Sequence, residues 1–151
     1  MEYKAKNEFR VLIVEPQKPP YAVEIDFNLD VLQALVGGSI QLVTLDRNTS
    51  LYCNAEGKLL GLPGNRRLDN GDIVTGTFVI FYDDGTGEKA SLTDEQVEKY
   101  MRRFKEPEQF SYQQVKDISR PAVRAFRSKD EFTQVLFDAE AGNEDEDEME
   151  R

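Results

Sequence analysis

The chain has 151 residues, 39% of them hydrophobic, and a formal net charge of −10, which suits one domain with a core of its own. It contains no histidine and a single cysteine, so histidine-based catalytic pairs, a structural zinc site and an internal disulfide are excluded. It has no apolar run of membrane-spanning length and its first residues lack the apolar stretch of a signal peptide, so we expect a cytosolic protein without membrane contact.

Charge is distributed unevenly along the chain. Residues 1–98 carry 9 basic and 16 acidic side chains, residues 99–129 carry 9 basic and 3 acidic ones, and residues 138–151 carry 8 acidic side chains and one Arg. We therefore predict an α+β domain over residues 1–107, a helical extension over 108–137 and a disordered acidic tail over 138–151.

The first three predicted elements are a hairpin and a short helix. Phe9–Glu15 and Tyr21–Asp26 alternate as strands do, and three prolines between them indicate a turn. Asn28 is typical of a helix N-cap, and Gly37 of a residue that ends a helix. The apolar side chains of this helix fall on one face: Leu32, Leu35 and Val36.

The sequence pattern in the middle of the chain predicts further strands. We predict one strand over Ser39–Leu45 and a second hairpin formed by Leu51–Asn54 and Lys58–Leu62 around a Gly-containing turn. Ile73–Tyr82 is the strongest strand pattern and is predicted to be central to the sheet. Gly76 within it indicates a bulge or a close packing neighbour.

A longer amphipathic helix follows the strands. Thr93 and Gln96 have the spacing of a capping box, and Pro107 ends the helical pattern. Ser111–Ile118 is a weaker helix that we predict to break at Pro121. The order of elements predicts an α+β fold, a small mixed sheet with one short and one longer amphipathic helix. It favours a β-grasp-like arrangement in which the sheet wraps one helix.

Five stretches of the chain resemble one uncharacterised family, domain of unknown function 3846. They are Arg10–Pro16, Leu32–Val43, Cys53–Leu68, Asp72–Ile80 and Ser91–Phe104, which follow in order within residues 9–107, about two thirds of the chain. The family is widespread in phages, plasmids and conjugative elements of Gram-positive bacteria. The resemblance implies an accessory protein of a mobile element, located in the cytoplasm of a host bacterium. It supplies no catalytic residues to carry over.

The densest polar cluster is our candidate ligand site. It lies in glycine-containing loops, where backbone N–H groups and forked arginine donors can hold a phosphate or a carboxylate. Its residues are Asn54, Glu56, Lys58, Asn65, Arg66 and Arg67. The alternative is that the loops are ordinary turns and that the arginines lie on the surface, paired with Asp69 and Asp72.

The basic segment 99–129 is a second candidate, because aromatic residues lie between its Lys and Arg residues, a pattern that suits single-stranded nucleic acid. The residues that would contact nucleic acid are Arg102, Arg103, Lys105, Arg120, Arg124 and Arg127. The alternative is that Tyr100, Phe104 and the other aromatics belong to the core.

No catalytic motif, metal site or cofactor motif stands out, and Cys53 is expected to be a buried thiol. The acidic segment Asp83–Glu88 lacks the spacing of a calcium loop and is expected to be a turn. We therefore expect a binding protein for host takeover or anti-defence, not an enzyme. It would hold a host protein or a nucleotide-derived small molecule, and it could be an oligomer. Nucleic-acid binding is the alternative, and an acidic mimic of DNA is a third hypothesis.

Overall fold

The computed structural model describes residues 8–124, and side chains in that range up to residue 118. These residues divide into a first compact unit that ends at Tyr112 and a second that begins at Gln113. The elements in chain order are β1 (Glu8–Val14), β2 (Tyr21–Asp26), α1 (Leu29–Val36), β3 (Ile40–Asp46), β4 (Thr49–Asn54), α2 (Gly57–Leu60), β5 (Gly64–Arg67), β6 (Ile73–Thr75), β7 (Phe78–Tyr82), α3 (Asp94–Arg103) and α4 (Tyr112–Arg124).

The predicted α+β class is confirmed, but the sheet is not mixed. Five strands lie in the order β2-β1-β7-β4-β3, and every neighbouring pair is antiparallel. Strands β5 and β6 form a separate antiparallel pair. The β-grasp prediction is therefore wrong, because β1 and β7 are antiparallel neighbours and the sheet does not wrap a single helix.

The central strands bury both of their faces, so the five-stranded sheet has a core on each side. One core consists of Val11, Ile13, Phe27, Leu32, Val36, Val79 and Phe81, and it includes the apolar face of α1. The other contains Leu12, Val14 and Ile80 from the sheet, Tyr100 and Phe104 from α3 and its C-terminal end, and Leu68 and Val74 from the β5–β6 region. Four consecutive apolar residues of β1 contribute side chains to the two cores in turn, as expected for a strand that is covered on both faces.

Three of the predicted helix ends are confirmed, whereas α3 ends at Arg103, before the predicted end at Pro107. Asn28 Oδ1 accepts a hydrogen bond from Val31 N at 2.9 Å, and Gly37 ends α1 with φ of +83°. At α3, Thr93 Oγ1 accepts from Gln96 N at 3.1 Å and Gln96 Oε1 accepts from Thr93 N at 2.8 Å. These helix ends could be predicted because each depends on hydrogen bonds between residues close in sequence.

Two predictions for the middle of the chain are wrong. Lys58–Leu62 is not a strand: its first residues belong to the helical turn α2, and β4 pairs with β3 instead. The predicted strand Ile73–Tyr82 is broken at Gly76, where φ is +73°, into β6 and β7. A side chain at Gly76 would meet Leu62 Cδ1 at 2.8 Å, so the close packing neighbour predicted there is confirmed. Strand β7 is the middle strand of the large sheet.

The predicted break at Pro121 is also wrong, because α4 continues through this residue to Arg124. A proline inside a helix removes one N–H donor and crowds one carbonyl, which weakens the helix without always ending it. The remainder of the predicted extension, Arg127 and the acidic tail lie outside the described residues. Between residues 8 and 124, no helix has the length and apolar character needed to cross a membrane.

Asp46 joins the end of β3 to α3. Its Oδ2 accepts from Tyr100 OH at 2.5 Å and from Lys99 Nζ at 3.1 Å, and its Oδ1 accepts from Asn48 N at 2.8 Å. Partial burial raises the pKa of this carboxyl, but the hydrogen bonds, that of Tyr100 foremost, outweigh it and lower the pKa to about 2.

Because the folded-state pKa is depressed, the charged Asp46 stabilises the protein above about pH 4, the usual unfolded-state value. We expect this contribution to disappear as the pH falls from about 4 to about 2. Asp46→Asn should be less stable than the wild type at pH 6, and the difference should shrink at pH 2.5. Urea unfolding at both pH values measures it. The exposed Asp94 offers a matched control, and an equal pH dependence in Asp46→Asn and Asp94→Asn would contradict the prediction.

Candidate functional site

The predicted ligand residues fall into two groups with different surroundings. Asn54, Asn65 and Arg66 are buried, whereas Glu56 is exposed and Lys58 and Arg67 are half-buried. The six residues therefore do not form one polar surface. The six residues are close in sequence, but in the folded protein three of them are buried.

Arg66 lies on β5, is 0% exposed, and donates all five of its N–H groups to the chain. Its Nε and Nη2 donate to Phe104 O at 3.1 and 2.8 Å, and Nη2 also donates to Lys18 O at 2.7 Å. Its Nη1 donates to Asn65 O at 3.3 Å and to Asn65 Oδ1 at 2.7 Å. Burial lowers the pKa of the guanidinium, and the carboxylate of Glu108 opposes that shift. Arg66 therefore ties three chain segments together and has no donor left over for a ligand.

The two asparagines satisfy backbone groups at the ends of strands and of helix α1. Asn65 Nδ2 donates to Val14 O at 2.9 Å and to Gly76 O at 2.8 Å, which ties the end of β1 to the break between β6 and β7. Asn54 Nδ2 donates to Val36 O at 3.1 Å, and its Oδ1 accepts from Glu56 N at 2.7 Å. Buried amides paired in this way hold the fold, because an unpaired backbone group would be costly there.

The ion pairs near the site differ from those predicted. Lys58 Nζ binds Asp72 Oδ1 at 2.5 Å, and Arg103 Nη2 binds Asp69 Oδ1 at 3.1 Å. Arg67 instead donates from Nη1 to Gly71 O at 2.8 Å, and its guanidinium lies 5.6 Å from the centre of the Phe110 ring. The alternative that placed both arginines on the surface beside Asp69 and Asp72 is therefore wrong.

Helix α2 exposes two leucines that we did not single out from the sequence. The side chain of Leu59 is 89% exposed and that of Leu60 is 59% exposed. We predicted a strand here, and a strand would have turned one of the two neighbours inward. The missed signal is the glycine at each side of the turn, because Gly61 ends α2 with φ of +75°.

The α2 turn is held firmly although it is only four residues long. A Cβ at Gly57 would clash with Thr75 Oγ1, so the backbone of α2 packs directly on β6. Leu62 N donates to Gly57 O at 3.0 Å, and the Lys58–Asp72 ion pair fixes the same turn from the side. The two leucines are thus presented to solvent in a fixed position.

A narrow cleft runs beside α2. Its volume is about 100 Å³, and its lining includes Gln41 and Val43 of β3, Lys58 and Leu59 of α2, and Asp72. Sites that enclose a ligand of nucleotide size usually measure about 300–1,000 Å³. The cleft is therefore too small to enclose a nucleotide, although it can take one side chain.

The basic segment is already paired with the chain's own acids in its first part. Lys99 binds Asp46 at 3.1 Å, and Arg102 binds Glu98 at 3.0 Å. Lys105 is exposed, Arg120 and Arg124 lie on α4, and Arg127 lies outside the described residues. Tyr100 and Phe104 are buried in the core on the α3 side, so for these two aromatics the core alternative is confirmed.

Cys53 and the Asp83–Glu88 loop are the two places where the sequence raised the question of a reactive thiol or a calcium loop. Cys53 is buried, and burial, reinforced by the charge of Asp72, raises the pKa of its thiol to about 12, so the thiol stays protonated near neutral pH. In the Asp83–Glu88 loop, Asp83 and Asp84 accept hydrogen bonds from Gly85 N and Thr86 N. No group of three or more acidic or cysteine side chains within the described part of the chain could hold a metal ion.

Comparison with known proteins gives a family match. A family model described as Domain of unknown function (DUF3846) matches residues 9–105. Neither the curated proteins nor the solved structures gave a match. Apart from Glu8, the matched range contains all the strands that the described residues form, the helices α1 to α3 and the whole α2 surface.

Proposed function

We propose that this chain, which belongs to the DUF3846 family, is an accessory binding protein of a phage or another mobile element and acts on a host protein. Its place of action would be the host bacterial cytoplasm, and its role host takeover or anti-defence, as the family's distribution implies. Binding would be the whole activity, without a chemical step. The contact surface would be α2, within the loops that the sequence singled out.

The observation that carries this proposal is the pair of exposed leucines on a fixed turn. Single exposed leucines are common on protein surfaces, but Leu59 and Leu60 are neighbours and are held in place from behind. Burying one leucine against a partner is worth about 1.5–3 kcal/mol. A turn that is already ordered loses little conformational entropy on binding, so more of that free energy appears as affinity.

The surroundings of the leucines also fit a protein interface. Glu56 and Lys58 lie beside them, which gives an apolar centre with a charged rim. The neighbouring cleft of about 100 Å³ could accept a side chain of the partner.

A protein partner is favoured over the other predicted ligands. Arg66 was one of the two arginines predicted to clamp a phosphate, and its five donors are all used within the chain. The aromatics Tyr100 and Phe104 are buried and are not available to stack on bases. We therefore treat nucleotide binding and nucleic-acid binding as alternative results of the test below.

The test uses a double variant, Leu59→Ser with Leu60→Ser, and a matched control, Leu29→Ser, whose side chain is 55% exposed on α1. The tagged proteins are used to capture partners from host cells, and the captured protein is then purified and titrated calorimetrically. We expect the double variant to bind about 100-fold or more weakly, the equivalent of about 3 kcal/mol. The control should bind like the wild type, and all three proteins should have similar melting temperatures.

Equal affinity of the double variant and the wild type would overturn the α2 surface. Steeply salt-dependent retention on heparin by all variants would favour the nucleic-acid alternative instead. A retained small mass in native mass spectrometry would favour a nucleotide-like ligand.

A further inference from the structure

Strand β3 forms one edge of the five-stranded sheet. It pairs with β4, and no other strand of the described part of the chain lies along its outer side. Ala55 N donates to Ser39 O at 2.8 Å, so the backbone groups of Ser39 point toward the end of β4. Backbone groups of an antiparallel strand point to its two sides in turn, so those of Gln41 and Val43 face β4. The groups that face outward are those of Ile40, Leu42 and Thr44.

This edge lacks the features that normally prevent a strand from pairing with another chain. Residues 40–45 contain no charged residue and no proline. The opposite edge, β2, carries Glu24 and Asp26 and directly follows two prolines. Leu42, in the middle of the outward-facing groups, has a side chain that is 50% exposed. The two edges therefore differ, and only β3 is suited to adding a strand.

We propose that β3 pairs with β3 of a second copy of this chain, antiparallel, about a two-fold axis at Leu42. In this register Leu42 exchanges both backbone hydrogen bonds with Leu42 of the other copy, and Ile40 of each copy does so with Thr44 of the other. All three outward-facing residues are then paired in both copies, which no other register achieves. The two five-stranded sheets become one sheet of ten strands.

A second copy fits this edge better than an unrelated strand for two reasons. A two-fold contact requires a surface that is complementary to itself, and the outward groups at 40, 42 and 44 are symmetric about Leu42. The whole chain has a net charge of −10, so a contact between two copies is least opposed where it places no like-charged side chains against each other. The run 40–45 meets that condition, and the two exposed Leu42 side chains would cover each other. The register irregularity between Thr44 and Asp46 would limit the pairing to this short stretch.

The register makes a specific cross-linking prediction. Directly opposite residues in a hydrogen-bonded antiparallel pair have Cα atoms about 5.5 Å apart, within the range that a disulfide can bridge. Leu42→Cys should therefore form a disulfide-linked dimer on mild oxidation. Thr44→Cys would face Ile40 of the other copy and should not. The natural Cys53 is buried and should not contribute.

The experiment combines native mass spectrometry of the purified full chain with this cross-linking. The wild type should have twice the chain mass, Leu42→Lys should have the mass of one chain, and the control Leu29→Lys should remain a dimer. Circular dichroism should show the wild-type fold for both variants. A wild type that is monomeric at all accessible concentrations would overturn the proposal. So would a dimer that survives Leu42→Lys, or equal cross-linking of the cysteine variants at 42 and 44. No host partner is present, so failure here leaves the α2 proposal untouched.

Discussion

Replacing Arg66 with methionine is expected to lower the free energy of unfolding by about 3–5 kcal/mol, a large part of the stability of a typical domain. The guanidinium is fully buried, and its five donors satisfy carbonyl groups of Lys18, Asn65 and Phe104. Methionine fills the volume of the arginine stem but leaves these acceptors without donors. Each buried acceptor left unpaired costs about 1–3 kcal/mol.

The neighbouring arginine provides a matched control. Arg67 is half-buried and makes a hydrogen bond to Gly71 O and a cation–π contact with Phe110, so Arg67→Met should cost about 1 kcal/mol. Arg66→Lys should fall between the wild type and Arg66→Met, because a single ammonium cannot reach acceptors on three segments at once. Urea unfolding measures all three variants. If Arg66→Met kept wild-type stability but lost a bound anion, Arg66 would belong to a ligand site after all.

The parts of the fold that could be predicted from sequence are those set by neighbouring residues. The cap at Asn28, the capping box at Thr93 and the β1–β2 hairpin each depend on bonds or turns within a few positions. The strand around β7 could also be predicted, because β-branched and aromatic residues concentrate there. The α+β class was predictable from the helix and strand patterns, but the pairs β1–β7 and β4–β7 were not, because those strands are distant in sequence.

The role of Arg66 could not be predicted, because its acceptors are distant in sequence. Phe104 lies 38 positions away and Lys18 lies 48 positions away. Arginine is usually exposed, so a pair of arginines after a glycine-containing turn indicates a surface site on composition alone. The helical turn α2 was missed for a related reason, because Gly57 is required by its contact with Thr75 on another strand.

Replacing Phe104 with alanine is the second change with a large expected effect, a loss of about 3–5 kcal/mol in the free energy of unfolding. Phe104 is 1% exposed, and its ring lies edge-on to Phe78 at 5.5 Å and stacked on Tyr100 at 6.1 Å between ring centres. Truncation would open a cavity beneath α3, next to the carbonyl that accepts from Arg66. Urea unfolding again gives the measurement.

The same variant separates a core aromatic from one that stacks on nucleic acid. Phe110 lies in the same basic segment but is only half-buried, so Phe110→Ala should cost about 1 kcal/mol and serves as the control. Because the Phe104 ring is enclosed, it offers no face to a base, and any affinity for single-stranded DNA should be the same in folded Phe104→Leu and wild type. A stable Phe104→Leu that loses such affinity would contradict the core assignment and restore the basic segment as a binding surface.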